Sequence, residues 1–123
     1  MYDKELVVSI FKQISSALDT IEFRVSTITT VEEFAASPAG MEKLDSVCML
    51  FMAVGESLKK IEKITQGKLL NNYPHIDWKG VMGFRDIVAH HYFDIDAEQV
   101  FWLCKHHLKP LSQAVRQIIK DID

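Results

Sequence analysis

The chain is short of the residues that would point away from a helical, globular protein. Only 2 cysteines occur among 123 residues, Cys48 and Cys104. That is too few for a disulfide framework, and each sits in an apolar helical pattern where a free thiol packs as a small hydrophobe. A reducing compartment fits. No apolar run approaches the ~20 residues that a membrane span needs. The opening Met1-Tyr2-Asp3-Lys4-Glu5 has no apolar signal core, so a cytoplasmic protein without membrane contact is expected. Positive charge is not in excess either: 14 Lys and Arg face 17 Asp and Glu, for a formal net charge of -3. If the protein handles RNA, its positive charge must be local or supplied by assembly. Cys104, His106 and His107, even with His75 or His91, lack the CxxC or HxxxH spacing of a closed metal site. No metal or cofactor is expected.

No stretch alternates with a strand's period of two, and there is no repeat, low-complexity segment or linker. One domain over residues 1–123 is the reading. What the chain does contain is helical periodicity. Leu6, Val7, Ile10, Phe11, Ile14, Ala17, Leu18, Ile21, Val25 and Ile28 form one apolar stripe, with Asp3 as N-cap. Thr30-Val31-Glu32-Glu33 has capping-box spacing for a short second helix through Phe34. Ser37-Pro38 starts a long helix whose stripe runs from Met41 and Leu44 to Ile61 and Ile64, with Gly67 as terminator. After the loop Asn71-Asn72-Tyr73-Pro74, Asp77 caps a helix weakened by Gly80 and Gly83. Asp94 and Asp96 offer a new start, with capping-box-like spacing from Asp96 to Gln99, for the last helix, whose stripe includes Cys104, His107, Leu108 and Leu111; Pro110 should bend or break it. The fold class is all-α: an up-and-down bundle of four main helices plus a short one.

The stretch Arg85-Asp86-Ile87-Val88-Ala89-His90-His91-Tyr92-Phe93 carries the chemistry. It brings a guanidinium, a carboxylate, imidazoles and a phenol within two helical turns. Arginine grips phosphate with a planar fork of donors, and histidine is the usual proton carrier near neutral pH. On a regular helix Arg85 and Tyr92 lie within about 20° of each other, whereas Arg85 and His90 diverge by about 140°. Asp86 and His90, four apart, share a face. Two routes could bring Arg85 and His90 to one phosphate: a bend near the end of this helix, or two copies meeting across a two-fold axis.

Such a set can cleave RNA without a metal. The 2′-hydroxyl is a built-in nucleophile; histidine can take its proton or protonate the leaving 5′-oxygen. Arginine can hold the phosphate and stabilise the added negative charge. Asp86 can orient Arg85 or fix the tautomer of His90. The products would be a 2′,3′-cyclic phosphate and a 5′-hydroxyl, and DNA should be immune.

Read as Arg-x4-His-x-Tyr, with Arg85, His90 and Tyr92, the motif resembles that of the HEPN domains, and within them the HepT-like toxins of toxin–antitoxin pairs. The similarity extends over roughly residues 5 to 120. It includes Gly55-Glu56 in the long central helix, Tyr73-Pro74 and Trp78 before the motif, and Phe93-Asp94 with Val100-Phe101-Trp102 after it. Asp86 stands where many relatives have asparagine, and His91 fills a variable position. The resemblance implies a HEPN-like bundle and a homodimeric, or larger, metal-independent ribonuclease toxin of a type VII system. Arg85 and His90 would come from two protomers. It also implies a cognate minimal nucleotidyltransferase antitoxin that transfers AMP onto the motif tyrosine, here Tyr92. Added phosphodiesters beside the arginine would oppose an incoming RNA phosphate. The alternative from another class is a catalytically silent HEPN module that binds nucleotide or RNA, or docks a partner.

Other residues carry a plain reading beside a sharper one. Glu56, expected on or near the buried face, reads first as a hydrogen-bonded carboxylate that sets helix register, and second as support for the site. Trp78 and Tyr73 could stack on bases, but packing around the loop is favoured. Lys59, Lys60, Lys63 and Lys68 could touch RNA phosphates, yet they alternate with Glu56 and Glu62 as a solvated face does. His107 is expected in the core or an interface, and His106 in solvent.

Overall fold

Asp3 starts the first helix as expected: its carboxylate accepts the Leu6 N–H at 3.1 Å, and α1 follows over Lys4–Val25. The computed structural model describes residues 2–91, 93 and 95–122, with backbone only for 89–91. A short α2 (Glu32–Ala35) precedes the long α3 (Pro38–Ile64). Ser37 caps α3 through the Gly40 N–H at 3.0 Å, with Pro38 at the first helical position, where its missing N–H costs nothing. A single 3-10 turn, Leu70–Asn72, interrupts the loop that follows. Then come α4 (Trp78–Met82), α5 (Phe84–His91), α6 (Ala97–His106) and α7 (Leu108–Ile122). Among the described residues there is no strand, and no helix is long and apolar enough to cross a membrane.

The all-α expectation holds, but the two helices read as continuous in the second half are each in two pieces. The motif helix breaks at Gly83, whose N–H still reaches Lys79 O at 3.0 Å before α5 begins. The last helix breaks at His107, and α7 restarts at Leu108. Pro110 therefore stands in the first turn of α7, where a backbone without N–H loses no helical bond. The short helix is also pinned one residue earlier than its spacing suggests. The Glu33 carboxylate takes the Thr29 hydroxyl at 2.6 Å and its N–H at 3.3 Å, ahead of Thr30. That bond holds the Glu33 carboxyl below its usual range.

The core is the seam of α1, α3 and α7. Phe11, Leu18 and Ile21 meet Val47, Leu58 and Ile61 from α3 and Val115 and Ile118 from α7, all fully or almost fully buried. Leu6 and Met41 leave the expected stripes and are half exposed, because each lies in the opening turns of its helix. Cys48 and Cys104 are free and buried, and burial pushes both thiols up to about 11, so neither is a thiolate nucleophile at neutral pH. Gly67 adopts a φ of +74° and its N–H bonds Glu62 O at 2.9 Å, ending α3 as its left-handed backbone requires.

Candidate active site

Position in this site is set by a glycine. At Gly55, in the middle of α3, a Cβ would lie 2.8 Å from the Val81 carbonyl oxygen. Only a residue without a side chain lets the end of α4 rest against α3 at this point. The break at Gly83 follows at once, so α5 begins beside Glu56. Phe84 then anchors α5, its ring 5.3 Å from that of Phe51 on α3. Phe84 and Val88, four apart, are buried, which turns Arg85, Asp86 and Ile87 outward.

Arg85 is held from α3. Its Nε lies 3.5 Å from Glu56 Oε1, and Lys59 Nζ lies 3.7 Å from the same oxygen. All three side chains are about half exposed, so these pairs orient the guanidinium more than they stabilise the fold. This corrects the expected placement of Glu56: it points out of the bundle, not into it. Val54, Gly55 and Leu58 take the buried face, and the next position falls over its edge. Asp86 is exposed in the first turn of α5, where a carboxylate favours the helix dipole.

The backbone of α5 runs through position 90 as helix, so Arg85 and His90 sit about 7.5 Å apart along one axis. The break at Gly83 precedes both and cannot swing one toward the other. The side chains of His90 and His91 lie outside the described residues, as do Tyr92 and Asp94; Phe93 is almost wholly exposed.

Other predicted residues separate clearly. Trp78 is buried, and its indole N–H donates to Tyr73 O at 2.9 Å. The Tyr73 hydroxyl donates to Asp121 on α7. Both aromatics thus lock the loop to the bundle. Burial and the Asp121 carboxylate push the Tyr73 hydroxyl up to about 12, and the same bond holds Asp121 below its usual range. His107 is exposed and so not a core histidine, because the break at His107 takes it off the buried stripe; His106 is exposed as expected. The Glu56–Lys59 pair is legible as an i,i+3 spacing; the Tyr73–Asp121 bond, 48 residues long in sequence, leaves no local signal.

The comparisons with known proteins bear on the family. The sequence model of a family described as "Ribonuclease HepT-like" matches residues 14–118, which include Glu56, Arg85 and His90. Two Methanocaldococcus jannaschii proteins are similar over 70 residues, 57% of this chain: "Putative RNase MJ1216" at 37% identity and "Putative RNase MJ0125" at 36%. The matched segment covers only 54% and 57% of those relatives, so the chain spans little more than half their length. No solved structure matches.

Proposed function

Because the chain belongs to the HepT-like ribonuclease family, we propose that it cleaves RNA at a site built from Arg85 and His90, without a metal. The observation that carries this reading is the exposed Arg85, fixed by Glu56 on a helix that continues through His90, inside the segment the family model matches. Arg85 binds the scissile phosphate and stabilises the charge that develops on it. As the phosphate takes the guanidinium, Lys59 remains to balance Glu56. His90 accepts the proton of the 2′-hydroxyl; the 2′-oxygen–phosphorus bond forms and the bond to the 5′-oxygen breaks. The His90 imidazolium then gives that proton to the leaving 5′-oxygen. Asp86, one turn before His90, orients its ring.

The unbroken helix favours a homodimer. With about 140° between Arg85 and His90, a two-fold axis beside α5 supplies each site with Arg85 from one copy and His90 from the other. Ile87, three residues before His90, is 42% exposed and Met49, seven before Glu56 on α3, is 66% exposed; a partner copy would cover both. In this reading the chain is a toxin, and a minimal nucleotidyltransferase antitoxin silences it by adding AMP to Tyr92. Intact mass after co-expression with that antitoxin should then show AMP-sized additions that Tyr92→Phe abolishes.

The direct test is cleavage of total RNA by purified protein in excess EDTA, beside His90→Ala. Fragments ending in 2′,3′-cyclic phosphate from the wild type alone are expected. A silent nucleotide- or RNA-binding module, in which the exposed Arg85 only holds a phosphate, is the second reading. Intact RNA from protein whose mass shows Tyr92 unmodified would select it.

A further inference from the structure

The break between α6 and α7 does for two other histidines what the break at Gly83 does not do for His90. On a continuous helix His106 and His107, four and five residues beyond Trp102, would point about 100° apart. The break at His107 (φ −115°, ψ −20°) brings both imidazoles onto one indole, with ring centroids 5.2 Å and 4.6 Å from that of Trp102. The indole remains 52% exposed, while Trp78, the other tryptophan, is 7% exposed. A large ring left half in water and braced by two planar rings is a stacking surface.

The stretch of sequence that carries this ledge is basic. Residues 99–120 hold 4 of the 14 Lys and Arg and none of the 17 Asp and Glu. Arg116 is paired with Asp19 at 2.7 Å, but Lys105 and Lys109 are exposed on either side of the break. Lys105 Nζ stands 5.4 Å over the Phe101 ring, next to Trp102. Glu98, four residues before Trp102, is the nearest acidic residue along α6.

We propose that Trp102, flanked by His106 and His107, stacks on an unpaired base of single-stranded RNA while Lys105 and Lys109 neutralise the adjoining phosphates. It is a binding site separate from the motif helix, and it supplies the local positive charge that a chain of net charge -3 needs to hold RNA. The proposal takes RNA as its ligand from the ribonuclease reading, but no step of cleavage depends on it.

A uridine dodecamer with 2′-O-methyl groups throughout separates the two, because it cannot be cut through a 2′-hydroxyl. Titrated into the full chain in EDTA, it should quench the emission of Trp102 and leave that of buried Trp78. Trp102→Ala should weaken its binding about fivefold or more. The double variant Lys105→Gln with Lys109→Gln should lower the slope of log affinity against log salt by about 1.4. On cleavable RNA, Trp102→Ala should raise KM and leave kcat unchanged. If Trp102→Ala binds the dodecamer as tightly as wild type, or if no quenching occurs, the proposal fails. It fails too if Trp102→Ala changes only the assembly state, which would make the ledge a protein interface. Failure of the ribonuclease reading looks different: no cyclic-phosphate ends, with Trp102-dependent binding intact.

Discussion

The two halves of α3 face two differently built regions. On one side α1 lies along it and α7 packs on α1, both long, unbroken helices, joined through fully buried side chains such as Phe11, Leu18 and Ile118. On the other, α4 and α5 are 5 and 8 residues long, meet at a glycine, and carry charged side chains outward. Helices that short are not stable alone. They stay in place because Gly55 admits the end of α4 and because Phe84 and Val88 anchor α5. The first region supplies stability and the second spends part of it to present Arg85.

Breaking the first region should cost most. Phe11→Ala should lower stability by about 3–5 kcal/mol, read as a lower midpoint in urea with an unchanged slope, while activity per folded molecule stays the same. Arg85→Ala, in the second region, should do the reverse. Cleavage should fall by about 10²- to 10³-fold, with a melting curve that overlays the wild type, since the side chain is half exposed and its ion pair is weak. Gly55→Ala joins the two regions. The added carbon meets the Val81 carbonyl at 2.8 Å, so a strain of about 1–3 kcal/mol should outweigh the gain of about 1 kcal/mol in helix propensity. Because α4 and α5 must move, cleavage should fall further than the loss of folded protein explains.

The smallest effect should come from Tyr73→Phe, which cuts the bond between the loop and α7. The Tyr73 hydroxyl is raised from 10.0 to about 12 in the folded state, so its contribution is complete below pH 10 and fades as pH rises toward 12. Asp121 is lowered, so its contribution is complete above the ordinary carboxylate range and is lost as pH falls through its folded value. Tyr73→Phe should therefore flatten the unfolding midpoint at both alkaline and acid ends, a difference readable in urea titrations across pH.

Much of the fold is legible in the sequence because caps are local. Asp3, Ser37, Asp77 and Asp96 each sit within three residues of the N–H they accept, so spacing alone finds them. The breaks at Gly83 and His107 are not local. Gly80 and Gly83 mark the motif helix as weak, but only the approach of α4 to Gly55, more than 20 residues earlier, decides where it ends. Pro110 announces a bend without saying that the helix restarts before it. Glu56 misleads for a related reason: on a helix buried over half its circumference, the residue after Val54 and Gly55 lies at the rim, and its partner Arg85 is 29 positions away. In the motif, Arg85, Asp86 and the helix through position 90 are legible; the proposed pairing of Arg85 with a second copy's His90 would be a property of assembly, which one chain's periodicity does not encode.

That assembly is the most direct test of the account. Arg85→Ala and His90→Ala proteins, each inactive, should be mixed under conditions that exchange subunits and assayed on RNA in EDTA. If one phosphate is served by Arg85 of one copy and His90 of the other, mixed dimers keep one intact site, and activity should return to roughly a quarter of wild type. A mixture that exchanges subunits and stays inactive would contradict the account.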